Sequence, residues 1–506
     1  MLIPTSGNHQ RSLPDAEFTA FLNVLPSGPS VVTPTASMMN MHTNFTGQEV
    51  FNSFMQSAFP MTLNDSGLPD NLFSILASPS QFEHFQNSGL RAIETNPSSI
   101  QQTFDSPRDY REALNGKFPE TLLSSISEEH LQLLHYYVNV QTSISVACDT
   151  TENPLQRFMI PLATGLPVGD ILELDAAYWA LLACAATHHA NLLMSSGKSE
   201  ERFRSQARKA RNSAYKFLAR DITIYQDIIP EKQLLYTACL DGNCLLLDRI
   251  TTAFSDAVLT ASTTKAFHDE REVFFLSMAS VYQTWLEFNS LATNKPKSRI
   301  FWDVLQSSQR PQSDDFASIF GVSVEVCETC NQVLDIIRNY NNSQKYNDLR
   351  NSVDKMLQAE EISNDLLVKL ENAVNERDVQ VNGDLLKLRL KIGRILHYAA
   401  LRVLLLTEVL GCSKLDGNVQ RCVNYGVEIL PAVKWGSETG TMMACLILAS
   451  MAKYQHLAIF QTYADRTCWK GSSGHRALAD GTRLFKEKPH STWKDAVISL
   501  GCPMFA

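Results

Sequence analysis

Residues 176–193, AAYWALLACAATHHANLL, contain no Asp, Glu, Lys or Arg. With Leu174 just ahead, Tyr178, Leu181, Leu182 and Ala185 recur at helical spacing, so a helix here is apolar over most of its circumference. Such a helix has to be enclosed, by lipid or by other helices. Thr187, His188, His189, Asn191, Ser195 and Ser196 suit a bilayer span of about 20 residues badly, so a core helix of a sizeable all-α domain is expected. Ala183, Ala185 and Ala186 are small enough to admit a close neighbour. Asp170 is placed to cap this helix, and an earlier one is expected from FPETLLSSISEEHLQLLHYYVNV, residues 118–140. There Ser127 can accept from an orphan backbone N–H, Glu128 and Glu129 suit the positive helix start, and Leu131, Leu134 and Val138 share a face.

Composition separates the first part of the chain from the rest. The first hundred residues hold two basic side chains (Arg11, Arg91) and seven acidic ones (Asp15, Glu17, Glu49, Asp65, Asp70, Glu83, Glu94) among Ser, Pro, Asn, Gln and Thr. No apolar period persists, so residues 1–116 are expected to form a disordered acidic tail, and residues 117–506 the helical domain. Phe51, Phe54, Phe59, Phe73, Leu76, Phe82 and Phe85 stand in the tail as apolar anchors among sparse acids, the pattern an activation segment offers a coactivator groove. A net charge of −9 argues against a protein that coats nucleic acid through a basic surface. Eleven cysteines without a secretory start suggest reduced, mostly buried thiols.

Beyond residue 200 helical periods follow one another. Residues 201–221 carry Arg202, Arg204, Arg208, Lys209 and Arg211 on one side and Ala207, Ala210, Ala214, Phe217 and Leu218 on the other. Amphipathicity explains both faces, so a solvated helix is preferred over an import signal or phosphate patch. Residues 231–258 and 269–291 continue the array, the second with Phe274, Phe275, Met278, Val281, Tyr282 and Trp285 as a stripe. Residues 295–315 read as a loop. Residues 349–374 place Val353, Met356, Ile362, Leu366, Leu370 and Val374 on a common side, more consistent with a packed helix than with a dimerising coil. Lys387, Arg389, Lys391, Arg394 and Arg402 interrupt the apolar helix of residues 385–410 too often for a membrane span.

Several of these segments together resemble the fungal-specific transcription factor domain, the helical regulatory region of fungal zinc-cluster activators, in its sterol-regulator-like branch. The similar segments are HYYVNV, NPLQRFMIPLA and ALLACAATHHANL, with IFGVSVEVCETCNQVLDIIRNYNNSQ (319–344), the Leu-rich helix 385–410 and the Trp493 helix. The resemblance covers roughly residues 118–506. It implies a nuclear transcription regulator of fungal type and, since members of this shape accompany secondary-metabolite gene clusters, a pathway-specific one. A small apolar effector is a further implication. The competing reading is a helical ligand-binding receptor or interaction scaffold without a promoter role.

The family's DNA reader needs six cysteines as two Cys-x2-Cys-x6-Cys arms sharing two zinc ions. Here the sole Cys-x2-Cys is Cys327 and Cys330, the next cysteine is Cys412, and Cys148 is the first in the sequence. The expectation is a chain without its own zinc cluster, which does not bind DNA directly by itself and relies on a zinc-cluster partner or on a second copy of itself. Gly197-Lys198-Ser199 lacks the glycine a phosphate loop needs, since residue 192 is Leu. His188 and His189 point about 100° apart on a helix, which suits core histidines better than metal ligands. Asp314/Asp315 and Glu360/Glu361 lie in polar segments expected to be exposed. No catalytic or metal-ligating residue is assigned, cofactor-binding residues stay unassigned, and neither a cofactor nor an enzyme activity is expected.

Overall fold

The computed structural model describes residues 107–118, 120–148, 153–164, 176–224, 270–293, 313–376, 385–433, 438–469 and 472–500. Regular structure among them is helical, and the one extended contact is an isolated bridge between Asn115 and Phe118. The tail anchors, Asp170, Leu174 and residues 231–258 lie outside the described residues.

The N-terminal helices are α1 (Pro107–Leu114), α2 (Glu120–Ser125) and α3 (Glu128–Tyr136). Tyr110 and Leu114 of α1 belong to the main core, so the packed helices begin ahead of residue 117. Ser127 caps α3 as its sequence requires: the residue is extended and its Oγ accepts from the His130 N–H at 3.3 Å. The helix then widens into one π-helical stretch, Tyr137–Gln141. Widening frees the Val138 carbonyl, which accepts from Thr142 Oγ1 at 2.8 Å and from Gln156 Nε2 at 2.9 Å. Gln156 belongs to α4 (Pro154–Thr164), so the widened turn also fastens the next helix.

The uncharged helix is α5 (Ala176–Ser195), which packs along α6 (Glu201–Ile224). Ala183, Ala186 and Ala190 on α5 and Ala207, Ala210 and Ala214 on α6 are all buried, so two small-residue faces approach closely. Then follow α7 (Glu270–Thr293), α8 (Ser313–Phe320), α9 (Val324–Lys345), α10 (Leu349–Asn375) and α11 (Leu385–Glu408). Residues 313–320 were expected to fall partly in a loop. They form a helix instead, because Phe316, Ala317, Ile319 and Phe320 all find buried places.

The array closes with α12 (Gly417–Ile429), α13 (Met442–Met451), α14 (Tyr454–Arg466), α15 (Ser473–Glu487) and α16 (Trp493–Leu500). Residues 442–450 of α13 are buried on every side, with α11, α12, α14, α15 and α16 around them. Trp493 is buried at the start of α16. Its indole N–H donates to Glu408 Oε1 at 3.3 Å, and Lys494 Nζ donates to Glu408 Oε2 at 2.5 Å, fixing the closing helix to the end of α11. No described helix is long and apolar enough to cross a membrane.

One sequence expectation, for α10, needs correction, and another, for α7, is met but incomplete. On α10 the buried side chains are Ser352, Ala359, Ser363, Leu366, Leu370 and Ala373, whereas Val353 and Met356 are exposed. Small residues mark the face against α9 and α11, since the tight crossing has no room for larger ones. The aromatic stripe of α7 is buried at Phe274, Met278, Val281 and Trp285, but so is a polar face carrying Ser277, Ser280, Thr284 and Glu287. Thr284 Oγ1 donates to Asn331 Oδ1 at 3.1 Å and Glu287 pairs with Arg338 at 3.2 Å, so α7 meets α9 partly through polar contacts.

Candidate functional site

A helix array without a catalytic constellation can still contain a specialised locus, and here it is a buried polar seam joining the N-terminal helices to the C-terminal ones. Its centre is Arg389. Ile392 and Leu396 lie three and seven residues further along α11, so Arg389 projects from the apolar face and is almost fully buried. Its Nη1 donates to the Gly321 carbonyl at 3.3 Å and its Nη2 to the Thr439 carbonyl at 2.7 Å.

The turn that presents Gly321 exists because of glycine. Gly321 has a φ of 62°, and a Cβ there would overlap the Arg389 guanidinium. A second glycine, Gly393 on α11, lets the Gly321 carbonyl approach, since a Cβ on residue 393 would collide with that oxygen. Burial lowers the Arg389 pKa from its ordinary value, and Tyr463 and Glu438 act in the opposite direction. Glu438 itself is fully buried, so its carboxyl group and the Arg389 guanidinium both lie away from water.

From Glu438 the network runs two ways. Thr441 Oγ1 donates to the Glu438 carbonyl at 2.6 Å, so its oxygen is left to accept from the buried Tyr463 hydroxyl. In the other direction Cys468 Sγ donates to Glu438 Oε2 at 3.2 Å, and the Cys468 carbonyl faces His188 Nε2 at 3.2 Å. A carbonyl only accepts, so Nε2 carries the proton and Nδ1 accepts from the Tyr136 hydroxyl at 2.8 Å. Thr439 Oγ1 also donates to the Ile144 carbonyl at 3.2 Å, and the amides of Ala147 and Cys148 donate to the carbonyls of Ile319 and Ser318. The seam thus touches α3, α5, α11, the 438–441 turn and the 467–469 connection.

Burial shifts its histidines and tyrosines toward their neutral forms. Burial pulls His188 down to about 4, opposed by the Cys468 carbonyl and assisted by His189. His397 is likewise lowered to about 4 by burial, with the Gly393 carbonyl opposing and Arg389 assisting. Its Nδ1 lies 2.8 Å from the Gly393 carbonyl and therefore carries the proton. Burial raises Tyr136 and Tyr463. The neutral histidines and protonated phenols act here as hydrogen-bonding links between helices. It can hold helices in register and transmit a shift of one to the others.

The residues singled out in the sequence fall elsewhere or are partly absorbed. His188 is a satisfied core histidine. His189 stacks on the Tyr136 ring at 4.4 Å and lies 4.0 Å from the Phe203 ring, so both histidines contact Tyr136, His188 through the hydroxyl and His189 through the ring face. Cys327 and Cys330 are buried in α9 and burial raises both thiols. The cations of α6 form a solvated face: Arg202 lies near Glu129 at 3.7 Å and Arg208 pairs with Glu201 at 2.9 Å. Lys198 and Ser199 lie in the connection between α5 and α6. Asp315 was expected to be exposed but is half-buried against Arg157, because α8 docks near α4. Glu360 and Glu361 are exposed.

Arg389, Glu438, Thr439, Thr441 and Cys468 were missed as a set. Arg389 could have been found from its place on the apolar period of α11, where a charge has to be paired to be buried. Glu438 and Cys468 lie in connections with no periodicity to mark them.

The model for the fungal specific transcription factor domain matches residues 132–474 of the chain, a span that includes the seam from Tyr136 to Cys468. No curated protein and no solved structure matches.

Proposed function

Because the chain belongs to the fungal specific transcription factor domain family, we propose that it is a nuclear, pathway-specific regulator of a secondary-metabolite gene set, reaching DNA through a zinc-cluster partner. The family is regulatory rather than enzymatic, so transcription regulation is the coarse assignment on which the finer ones are built. The observation that carries the proposal is the family match over residues 132–474. It is supported by the state of the cysteines: the only Cys-x2-Cys pair is enclosed in α9 with both thiols raised by burial, the opposite of an exposed thiolate site for zinc. On this reading the acidic, Phe-bearing first hundred residues contact a coactivator, while the helical domain contacts the DNA-binding partner. Family membership likewise motivates the search for a small apolar effector.

The test is promoter occupancy of the tagged protein in its own cells, together with DNA binding by the purified chain. Occupancy without direct binding is the expected result. Direct, zinc-dependent binding by the chain would remove the partner. Absence from every promoter would leave a helical scaffold, for which the exposed apolar face of α10 is the supporting observation.

A further inference from the structure

The N-terminal half of α10 presents large apolar side chains to solvent. Tyr346 is 74% exposed, Leu349 76%, Val353 54%, Met356 37% and Leu357 60%. On a helix the last four follow at intervals of four, three and one residues, so with Tyr346 in the preceding turn they form one continuous stripe rather than scattered exceptions. The buried face of α10, through Ser352, Ala359 and Ser363, lies to one side of this stripe and is already occupied.

The charges along this half are polarised. Lys345 and Arg350 outweigh the capping Asp348 at its start, Asp354 and Lys355 offset one another, and Glu360 and Glu361 make its end negative. Arg350, Asp354, Glu360 and Glu361 make no ion pair with another described residue. The C-terminal half of the same helix differs: Lys369 pairs with Asp365 at 3.2 Å and with Glu325 at 3.4 Å, and Glu371 pairs with Arg421 at 2.5 Å. One half of α10 is neutralised within the fold and the other is not.

We propose that the N-terminal half of α10 is a self-association surface, pairing antiparallel with the same stripe of a second copy of this chain about a two-fold axis. A stripe that is positive at one end and negative at the other is complementary to itself when reversed, which is what an isologous interface needs. Centred between Val353 and Leu357, the pairing sets Val353 of one copy beside Leu357 of the other, so the stripes overlap over residues 353–357 while Leu349 lies opposite Glu361 of the second copy. It brings Arg350 to Glu360 and Glu361 of the second copy, twice by symmetry. The surface is remote in sequence from the seam and does not depend on the regulatory assignment.

Sedimentation velocity of the whole purified chain across the micromolar range tests this. A reversible dimer is expected, with dissociation strengthened by salt. Val353→Glu places a carboxylate in each copy near the axis and should weaken association about a hundredfold, while circular dichroism stays unchanged because the residue is exposed. Arg350→Glu should weaken it roughly tenfold, since two exposed ion pairs become repulsions. The double exchange Arg350→Glu with Glu361→Arg should restore it. A monomer throughout the range overturns the proposal, as does a dimer indifferent to Val353→Glu. Cross-linking of the stripe in a monomer to residues 49–59 would assign the face to the chain's own Phe-rich segment instead. Loss or retention of the dimer is read without reference to promoters, so failure here and failure of the regulatory reading stay distinct.

Discussion

Helices α10 and α11 are consecutive, have 27 and 24 residues, and pack against one another, yet they treat polarity in opposite ways. The inner helix, α11, buries Arg389 and Arg402, while α10 leaves Leu349, Val353 and Leu357 in water. Neighbours explain the difference. α11 is bordered by α8, α9, α10, α12 and α13, so a charge on it has to find partners indoors. Arg402 does so through Nε to the Ser363 carbonyl at 3.0 Å, as Arg389 does through Gly321 and Thr439. Among the described residues α10 packs mainly against α9 and α11, and its other face is exposed. Burial is thus a property of a helix's surroundings as much as of its side chains.

The contrast can be tested by replacing equivalent features on the two helices. Arg389→Met should cost about 3–5 kcal/mol in urea-induced unfolding, because it removes two buried hydrogen bonds and the charge opposite Glu438. A cost below about 1 kcal/mol would mean that the seam is relaxed by water and contributes little. Leu366→Ala, on the buried face of α10, should cost about 2–5 kcal/mol by the same measurement, since a fully enclosed side chain leaves a cavity.

Acid provides a comparison without mutation. The unfolded chain takes up a proton at each histidine near pH 6.5, the folded chain at His188 and His397 only near pH 4. Between those values the unfolded state binds more protons, so stability falls as the pH is lowered from 6.5 to 4, by roughly 3 kcal/mol for each histidine once pH 4 is reached. His188→Phe should remove its part of that slope while leaving the Tyr136 hydroxyl and Cys468 carbonyl without their bonds, giving a less stable but flatter pH profile. The smallest effect belongs to the open face of α10: Val353→Ser should change stability by no more than about 0.5 kcal/mol. A larger loss at concentrations where the chain is monomeric would show that this face is covered within a single chain.

Much of the fold was legible because amphipathic period and capping are local. Ser127, followed by two glutamates and an apolar period, specifies where α3 starts wherever the helix lies, and the uncharged run of α5 can only be an enclosed helix. The central place of α13 was not read from the sequence, although MMACLILASM has no polar face to turn outward. The seam was largely hidden because its members come together from positions as far apart as Tyr136, Arg389 and Cys468, and hydrogen bonding across such distances leaves no periodic trace.

The sequence by itself determined an all-helical domain and the position of several helices, because hydrophobic spacing and capping act between residues a few places apart; the regulatory family entered through resemblance and the match over residues 132–474. Only the tertiary structure decided that Arg389 would be an interior ligand of two carbonyls, that His188 would be a neutral link between helix groups, and that Val353 would face outward. Each of those outcomes depends on which helix occupies the neighbouring volume, and a side chain's burial is settled by that neighbour rather than by its own hydrophobicity.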